Sequence, residues 1–181
     1  MARTEVKNEV FEGLTNKDIL FPNFKGVPDP PYNSRGDQIF NIRLDPERAE
    51  DLDHKGWHVK TWVSSDEDTV YFLPVRINFD GPRPPKCYQM GGELLSDGSV
   101  NIKNKTKLDK EMVKEWQETE FYNLDIIVSP SLWEMNGKTG IKAYAKAMYA
   151  TVVLDPLQIK YANVGQNDIY NEDLDEEVPF N

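Results

Sequence analysis

The sequence predicts a mainly β chain, closed part-way into a barrel or sandwich, with two short helices. Three observations carry that expectation. Asn136-Gly137 stands between two long β-rich runs, a strong hairpin signal. Several shorter stretches alternate apolar and polar residues, separated by turn-forming segments that use many of the 12 prolines and 11 glycines. Only two segments carry helix start signals. No internal repeat is present.

Ile19-Leu20-Phe21 opens an extended stretch that Pro22 interrupts. Pro28, Pro30, Pro31 and Gly36 mark a long loop holding Tyr32, Asn33 and Arg35. Residues 38–44 alternate Phe40, Ile42 and Leu44 against Ile39, Asn41 and Arg43, as a strand with one wetter face does. Asp45-Pro46 starts a helix, with Asp as N-cap and Pro at the first position; it runs through Leu52 and stops at Gly56. Residues 57–63 read as a strand with His58, Lys60 and Trp62 on one side and Trp57, Val59 and Thr61 on the other. Residues 69–79 form a longer strand: Tyr71, Leu73, Val75, Ile77 and Phe79 are the apolar side, and Phe72, Arg76 and Asn78 face the other way. Pro74 removes a ladder donor, so an edge or a bulge is expected there. A turn over 81–85 leads to a short strand over 86–90. Residues 91–107 read as loop with at most short pairing. Residues 109–119 read as a helix with Met112, Val113 and Trp116 as its apolar stripe. Runs over 124–135 and 141–154 flank the 136–140 turn.

Composition bounds the function. The chain has 181 residues, with 31 acids against 21 Lys and Arg, a formal charge of −10. Basic wrapping of nucleic acid over the whole surface is excluded, while a local basic groove is not. A single cysteine, Cys87, rules out an internal disulfide and a Cys-rich zinc site, and two histidines, His54 and His58, offer little for His-based metal chemistry. No cofactor is expected. The polar start of the chain has no apolar stretch of a signal peptide, and no run reaches the length of a membrane span, so no membrane association is expected. Residues 162–181 contain six acids and no Lys or Arg. We expect a domain over 1–161 and a disordered acidic tail over 162–181. The tail is either a solubilising segment or a peptide that docks into basic, apolar pockets on partners, through Asp173, Asp175, Glu176, Glu177, Val178, Pro179 and Phe180.

No catalytic pattern stands out. Asn136-Gly137-Lys138-Thr139 resembles the end of a phosphate loop, but Leu132 occupies the place of the required first glycine and a strand follows instead of a helix. Cys87 reads as a core thiol. The stronger pattern is aromatic and basic residues alternating on strands: His58, Lys60 and Trp62; Phe72 and Arg76; Lys142, Tyr144 and Lys146. Rings offer stacking platforms to unpaired bases, at roughly 1–3 kcal/mol each, and cations meet phosphates. The same faces also suit the ordinary outer surface of an antiparallel sheet, where Lys stems cover aromatics.

The block Trp133-Glu134-Met135-Asn136-Gly137-Lys138-Thr139-Gly140-Ile141-Lys142-Ala143-Tyr144, continued by Lys146-Ala147-Met148-Tyr149, resembles a family of bacteriophage single-stranded-DNA-binding proteins. Tyr32-Asn33, Ile39-Phe40 with Leu44, Gly56-Trp57 with Val59-Lys60, and Arg83-Pro84-Pro85 stand in the family's order across residues 19 to 154. The resemblance implies an OB-fold-like, partly closed five-stranded barrel with an extra hairpin, binding ssDNA across one sheet face and its flanking loops. The stretch Asp175-Glu176-Glu177-Val178-Pro179-Phe180 is similar to the acidic ends of bacterial ssDNA-binding proteins.

The expected function is sequence-nonspecific coating of ssDNA in phage replication, recombination or repair, in the cytoplasm of the infected host, by binding and not catalysis. Trp62, Phe72 and Tyr144 are the stacking candidates. Lys60, Arg76, Lys142 and Lys146 are the phosphate contacts, with Arg35 assisting from its loop. The strand around Ser129-Pro130-Ser131 carries no ring or cation and is not counted. Phage or host replication and recombination proteins are the expected partners of the tail, and a homo-oligomer is compatible with this architecture. Single-stranded RNA suits the same platform, since nothing in it senses a 2′-hydroxyl. A β-rich virion structural or scaffold protein without DNA affinity is the competing reading.

Overall fold

The computed structural model describes residues 6–30, 33 and 35–161. It contains β1 (Glu9–Leu14), β2 (Ile19–Asn23), β3 (Gln38–Leu44), β4 (Lys60–Val63), β5 (Thr69–Ile77), β6 (Lys86–Leu94), β7 (Val100–Leu108), β8 (Asn123–Met135) and β9 (Lys138–Val153). The helices are α1 (Pro46–His54), α2 (Lys110–Val113), which continues as a 3₁₀ turn over Lys114–Glu118, and α3 (Pro156–Tyr161). The expected mainly β, half-closed architecture is what the chain adopts: all nine strands join one curled half-barrel sheet.

β9 organises that sheet. Along one edge it pairs antiparallel with β8, from Met135↔Lys138 to Asn123↔Thr151. Its other edge is divided among successive partners. Trp57 bridges Ile141, β5 pairs in parallel at Val75↔Ala143 and Arg76↔Tyr144, and β6 runs in parallel from Lys86↔Ala147 to Gly92↔Val153. The sheet therefore forks at β9. One branch carries β5, β3, β2 and β4, and the other carries β6 and β7. The 78–85 connection lies at the fork.

Alternation along β9 explains its position. Ile141, Ala143 and Ala145 face the core, and so do Met148, Ala150 and Val152. The parity changes because Ile127 pairs with Ala147 while Val128 pairs with Ala145, leaving Lys146 as the extra residue of a β-bulge. Small Ala side chains let the neighbouring strands and Trp57, 2% exposed, pack closely over this strand. Phe24, Phe40, Trp116 and Phe121 complete an aromatic cluster in the core: Phe24 stacks on Phe40 at 5.4 Å and meets Trp116 and Phe121 edge-on.

The local signals act as the sequence predicts. The Asp45 side chain accepts a hydrogen bond from the Arg48 N–H at 2.7 Å, capping α1. Gly56, at φ +95, ends it: the Gly56 N–H donates to Asp53 O and the Trp57 N–H to Leu52 O, the paired bonds of a Schellman motif. Asn136 and Gly137 have φ +53 and +80, as a two-residue hairpin turn of the primed type requires. On β5, Pro74 lies between the end of the β4 pairing at Phe72 and the start of the β9 pairing at Val75, so the missing donor falls in a gap of the ladder.

Three expectations are corrected. Residues 91–107 are not a loop; they complete the β6–β7 hairpin, closed by a turn in which the Leu95 N–H donates to Ser99 O and Gly98 takes φ +89. β6 is held by the dry β9 on its other side, which its own glycine-rich sequence does not reveal. The 109–119 helix is one α-turn followed by 3₁₀ geometry, and Met112 points to solvent at 40% exposure while Val113 and Trp116 are buried. The 57–63 strand begins only at Lys60, because the Trp57 and His58 backbones are engaged by β9. β1, unexpected from the polar N-terminal sequence, pairs with β8.

Candidate nucleic-acid interface

Cross-strand partners share a sheet face, and the register therefore settles which side chains meet. Lys60 opposes Phe72, and Trp62 opposes Val70. Arg43 opposes Phe72 from the other side, and Ile39 opposes Arg76. Arg76 neighbours Tyr144 through the short parallel pairing. Tyr144 opposes Ser129, and Lys142 opposes Ser131. Lys60, Trp62, Phe72, Arg76, Lys142 and Tyr144 thus lie on the outer face of one sheet, opposite the core. Lys146 sits beside them at the β9 bulge and is exposed.

The three rings of this face are unequal. Phe72 is only 8% exposed, whereas Trp62 is 46% exposed. Phe21 of β2 covers Phe72, with ring centroids 6.0 Å apart, and meets Trp62 edge-on at 5.6 Å. Phe72 therefore supports the cluster from beneath, and Trp62 and Phe21 offer the accessible rings. Phe21 holds φ +46, a strained conformation for a bulky residue. Sequence reasoning missed Phe21 as a surface ring because it reads as the apolar start of a strand. The adjacent Pro22 was the available signal of an irregular backbone there.

The cations differ in the same way. Arg76 Nη1 lies 2.7 Å from Asp37 Oδ2, and Arg35 Nη2 lies 3.2 Å from the same oxygen. These two guanidiniums share one carboxylate and flank a polar cleft of about 380 Å³. Its other cations are also paired: Lys110 with Asp80 at 2.8 Å, Lys25 with Glu118 at 3.2 Å and Lys114 with Glu111 at 3.0 Å. Lys60, Lys142 and Lys146 form no ion pair among the described residues. Lys60 and Lys142 converge on His58, whose backbone N–H donates to Ile141 O at 3.0 Å. The imidazole pKa is pushed down, first by partial desolvation and then by these two ammonium groups.

Further aromatics lie on the outer face of the sheet, Tyr88 among them only 7% exposed. Trp133 lies against Gly140, where an added Cβ would stand 2.6 Å from the indole Nε1. Beyond the bulge, Tyr88 and Tyr149 stack at 5.5 Å with 10° between their planes, and Lys105 Nζ lies 4.6 Å over the Tyr88 ring. The Tyr88–Lys105 contact depends on the β6–β7 hairpin, which the sequence reading did not foresee.

Cys87 is buried and its thiol is pushed up to about 12 by desolvation, so it is protonated and unreactive in the folded chain. His54 lies 3.7 Å from Glu50 on the exposed side of α1. Among the described residues no group of His, Cys, Asp and Glu is arranged to hold a metal ion, and no helix is long and apolar enough to cross a membrane. Asp173, Asp175, Glu176, Glu177, Val178, Pro179 and Phe180, like Tyr32, lie outside the described residues.

No curated protein and no solved structure matches the chain significantly. Residues 3–179 do match one protein family, described as "Putative phage ssDNA-binding domain", and with nearly the whole chain covered the protein belongs to this family of phage ssDNA-binding proteins.

Proposed function

We propose that the outer face of β4, β5 and β9 binds ssDNA without sequence preference and without catalysis. The observation that carries this reading is the convergence on one face of the exposed rings of Trp62 and Phe21, the half-buried Tyr144, and Lys60, Lys142 and Lys146, which form no ion pair among the described residues. Bases stack on Trp62 and Tyr144, Phe72 braces the stack, and the lysines meet phosphates. Arg76 and Arg35 contribute by exchanging Asp37 for a phosphate, at the cost of that ion pair. The protein coats ssDNA during replication, recombination or repair in the cytoplasm of the infected host. Its residues 162–181 recruit replication or recombination proteins and compete with DNA for the basic face. A strand of RNA binds by the same contacts.

Titration of tryptophan fluorescence with oligo-dT at several salt concentrations tests this. Each phosphate neutralised on a single strand contributes about −0.7 to the slope of log K against log salt, so Lys60, Lys142 and Lys146 together contribute about −2. Quenching with a salt-dependent affinity supports the reading. Absence of binding at low salt removes it and leaves a virion structural role as the alternative.

A further inference from the structure

We infer that the ssDNA path does not end at Tyr144 but enters a second groove, floored by β8 and β9 and walled by the β5–β6 connection, where Arg83, Lys86 and Tyr149 bind it. The inference rests on the ssDNA-binding reading above and extends its site to residues not assigned by it. The groove encloses about 920 Å³. Its floor includes the small side chains Ser129 and Ala147, with Tyr144 and Tyr149 also lining it. A floor of small residues beside two aromatic rings leaves room for flat bases with ring faces to stack on. The wall is Gly81-Pro82-Arg83-Pro84, whose prolines hold Arg83 on a stiff connection.

Charge identifies the occupant. The protein carries −10 overall, yet among the described residues no Asp or Glu lines this groove. Three cations do: Arg83, Lys86 and Lys146. None of them forms an ion pair among the described residues, whereas every lysine and arginine lining the neighbouring cleft is matched to a carboxylate. Leaving three cations uncompensated in an acidic protein is explicable if a polyanion completes the site. Continuity favours the same strand that crosses the outer face: Tyr144 and Asn78 line both the cleft and the groove, and Lys146 sits at the bulge where the face turns into it. Tyr149, 36% exposed and stacked on the buried Tyr88, extends the ring platform past the groove's end.

The test compares the intact chain with the double variant Arg83→Gln, Lys86→Gln, both exposed side chains away from the core. With a long thymidine oligomer, the intact chain should give a salt slope near −3.5, and the double variant one shallower by about 1.4, the share of two phosphate contacts. An oligomer carrying 5-iodouracil should photocrosslink to Tyr149 in the intact chain. If the double variant keeps the affinity and slope of the intact chain, and crosslinks fall on Trp62 or Tyr144 and not on Tyr149, the groove lies off the DNA path and the inference is overturned. If the intact chain itself does not bind the oligomer, the underlying ssDNA reading fails instead, so the two failures are distinct. Lys86→Glu provides a second check: reversing the charge should weaken binding more than neutralising it, and equal affinities overturn the inference.

Discussion

Tyr144 stands where two chain segments far apart in sequence meet, beside Arg76 and opposite Ser129, and it lines both the polar cleft and the groove. Removing its ring should weaken ssDNA binding by roughly 1–3 kcal/mol, about five- to 150-fold, because one stacking platform is lost. Tyr144→Ala should leave the melting temperature nearly unchanged, since the side chain lies on the face opposite the core. Titration alongside a thermal melt checks both, and a large fall in melting temperature would reassign Tyr144 to a packing role. His58 supplies a pH dependence with a defined sign. Its pKa lies below 6.5 in the unliganded chain because of desolvation and the charges of Lys60 and Lys142. A bound phosphate offsets those charges and raises the imidazole pKa, so His58 takes up a proton on binding. Affinity for oligo-dT should therefore rise as pH falls through the raised, bound-state pKa of His58, and His58→Gln should flatten that rise. For folding the sign is opposite. The unfolded chain protonates first, so this residue's contribution is intact above 6.5 and declines as pH drops toward the lower folded value.

Elements differ in how far their own residues define them. α1 is encoded locally at both ends, by the Asp45 cap and the Gly56 C′ position. Asp45→Ala leaves the Arg48 N–H without its acceptor and should cost about 1 kcal/mol in thermal or denaturant melts, without touching ssDNA affinity. The β8–β9 hairpin is equally legible, because Asn136-Gly137 supplies two positive-φ positions in a row. β6 and β7 were not legible as a full hairpin. Gly91 and Gly92 weaken any strand reading, and β7 presents Lys103, Lys105 and Lys107 with few apolar residues. Pairing to β9 supplies the missing stability, and no local pattern reports it. The Asp97-Gly98 pair marks the turn of that hairpin. β1 is a similar case, defined by the β8 edge it covers.

Over the whole molecule, two distributions govern function: the fork of the sheet and the placement of charge. The fork brings β5 and β6 onto one edge of β9 and sets the 78–85 connection above it. Lysines and arginines without an ion-pair partner among the described residues, Lys60, Lys142, Lys146, Arg83 and Lys86, collect on the outer face and in the groove, while residues 162–181 hold six acids and no base. On the proposed reading, the polyanionic segment and the polyanionic ligand compete for the same cations. Deleting residues 165–181 should therefore tighten ssDNA binding, most at low salt, where the Debye length is longest, and the gain should fade as salt rises. Equal affinities at low salt would separate the tail from groove competition while leaving DNA binding intact.

The sequence by itself determined the β-rich class, the helix caps, the long hairpin, the two sides of β5 and the alternation of rings with cations, because each is written in neighbours a few residues apart. The tertiary structure alone decided that Phe72 is roofed by Phe21, that Asp37 holds Arg35 and Arg76, that a bulge turns Lys146 to the surface, and that Arg83, Lys86 and Tyr149 line one groove with no acid among the described residues. Those relations join residues separated by tens of positions. They arise from strand order and register, which depend on how the whole sheet closes over its core and not on any local preference of the chain.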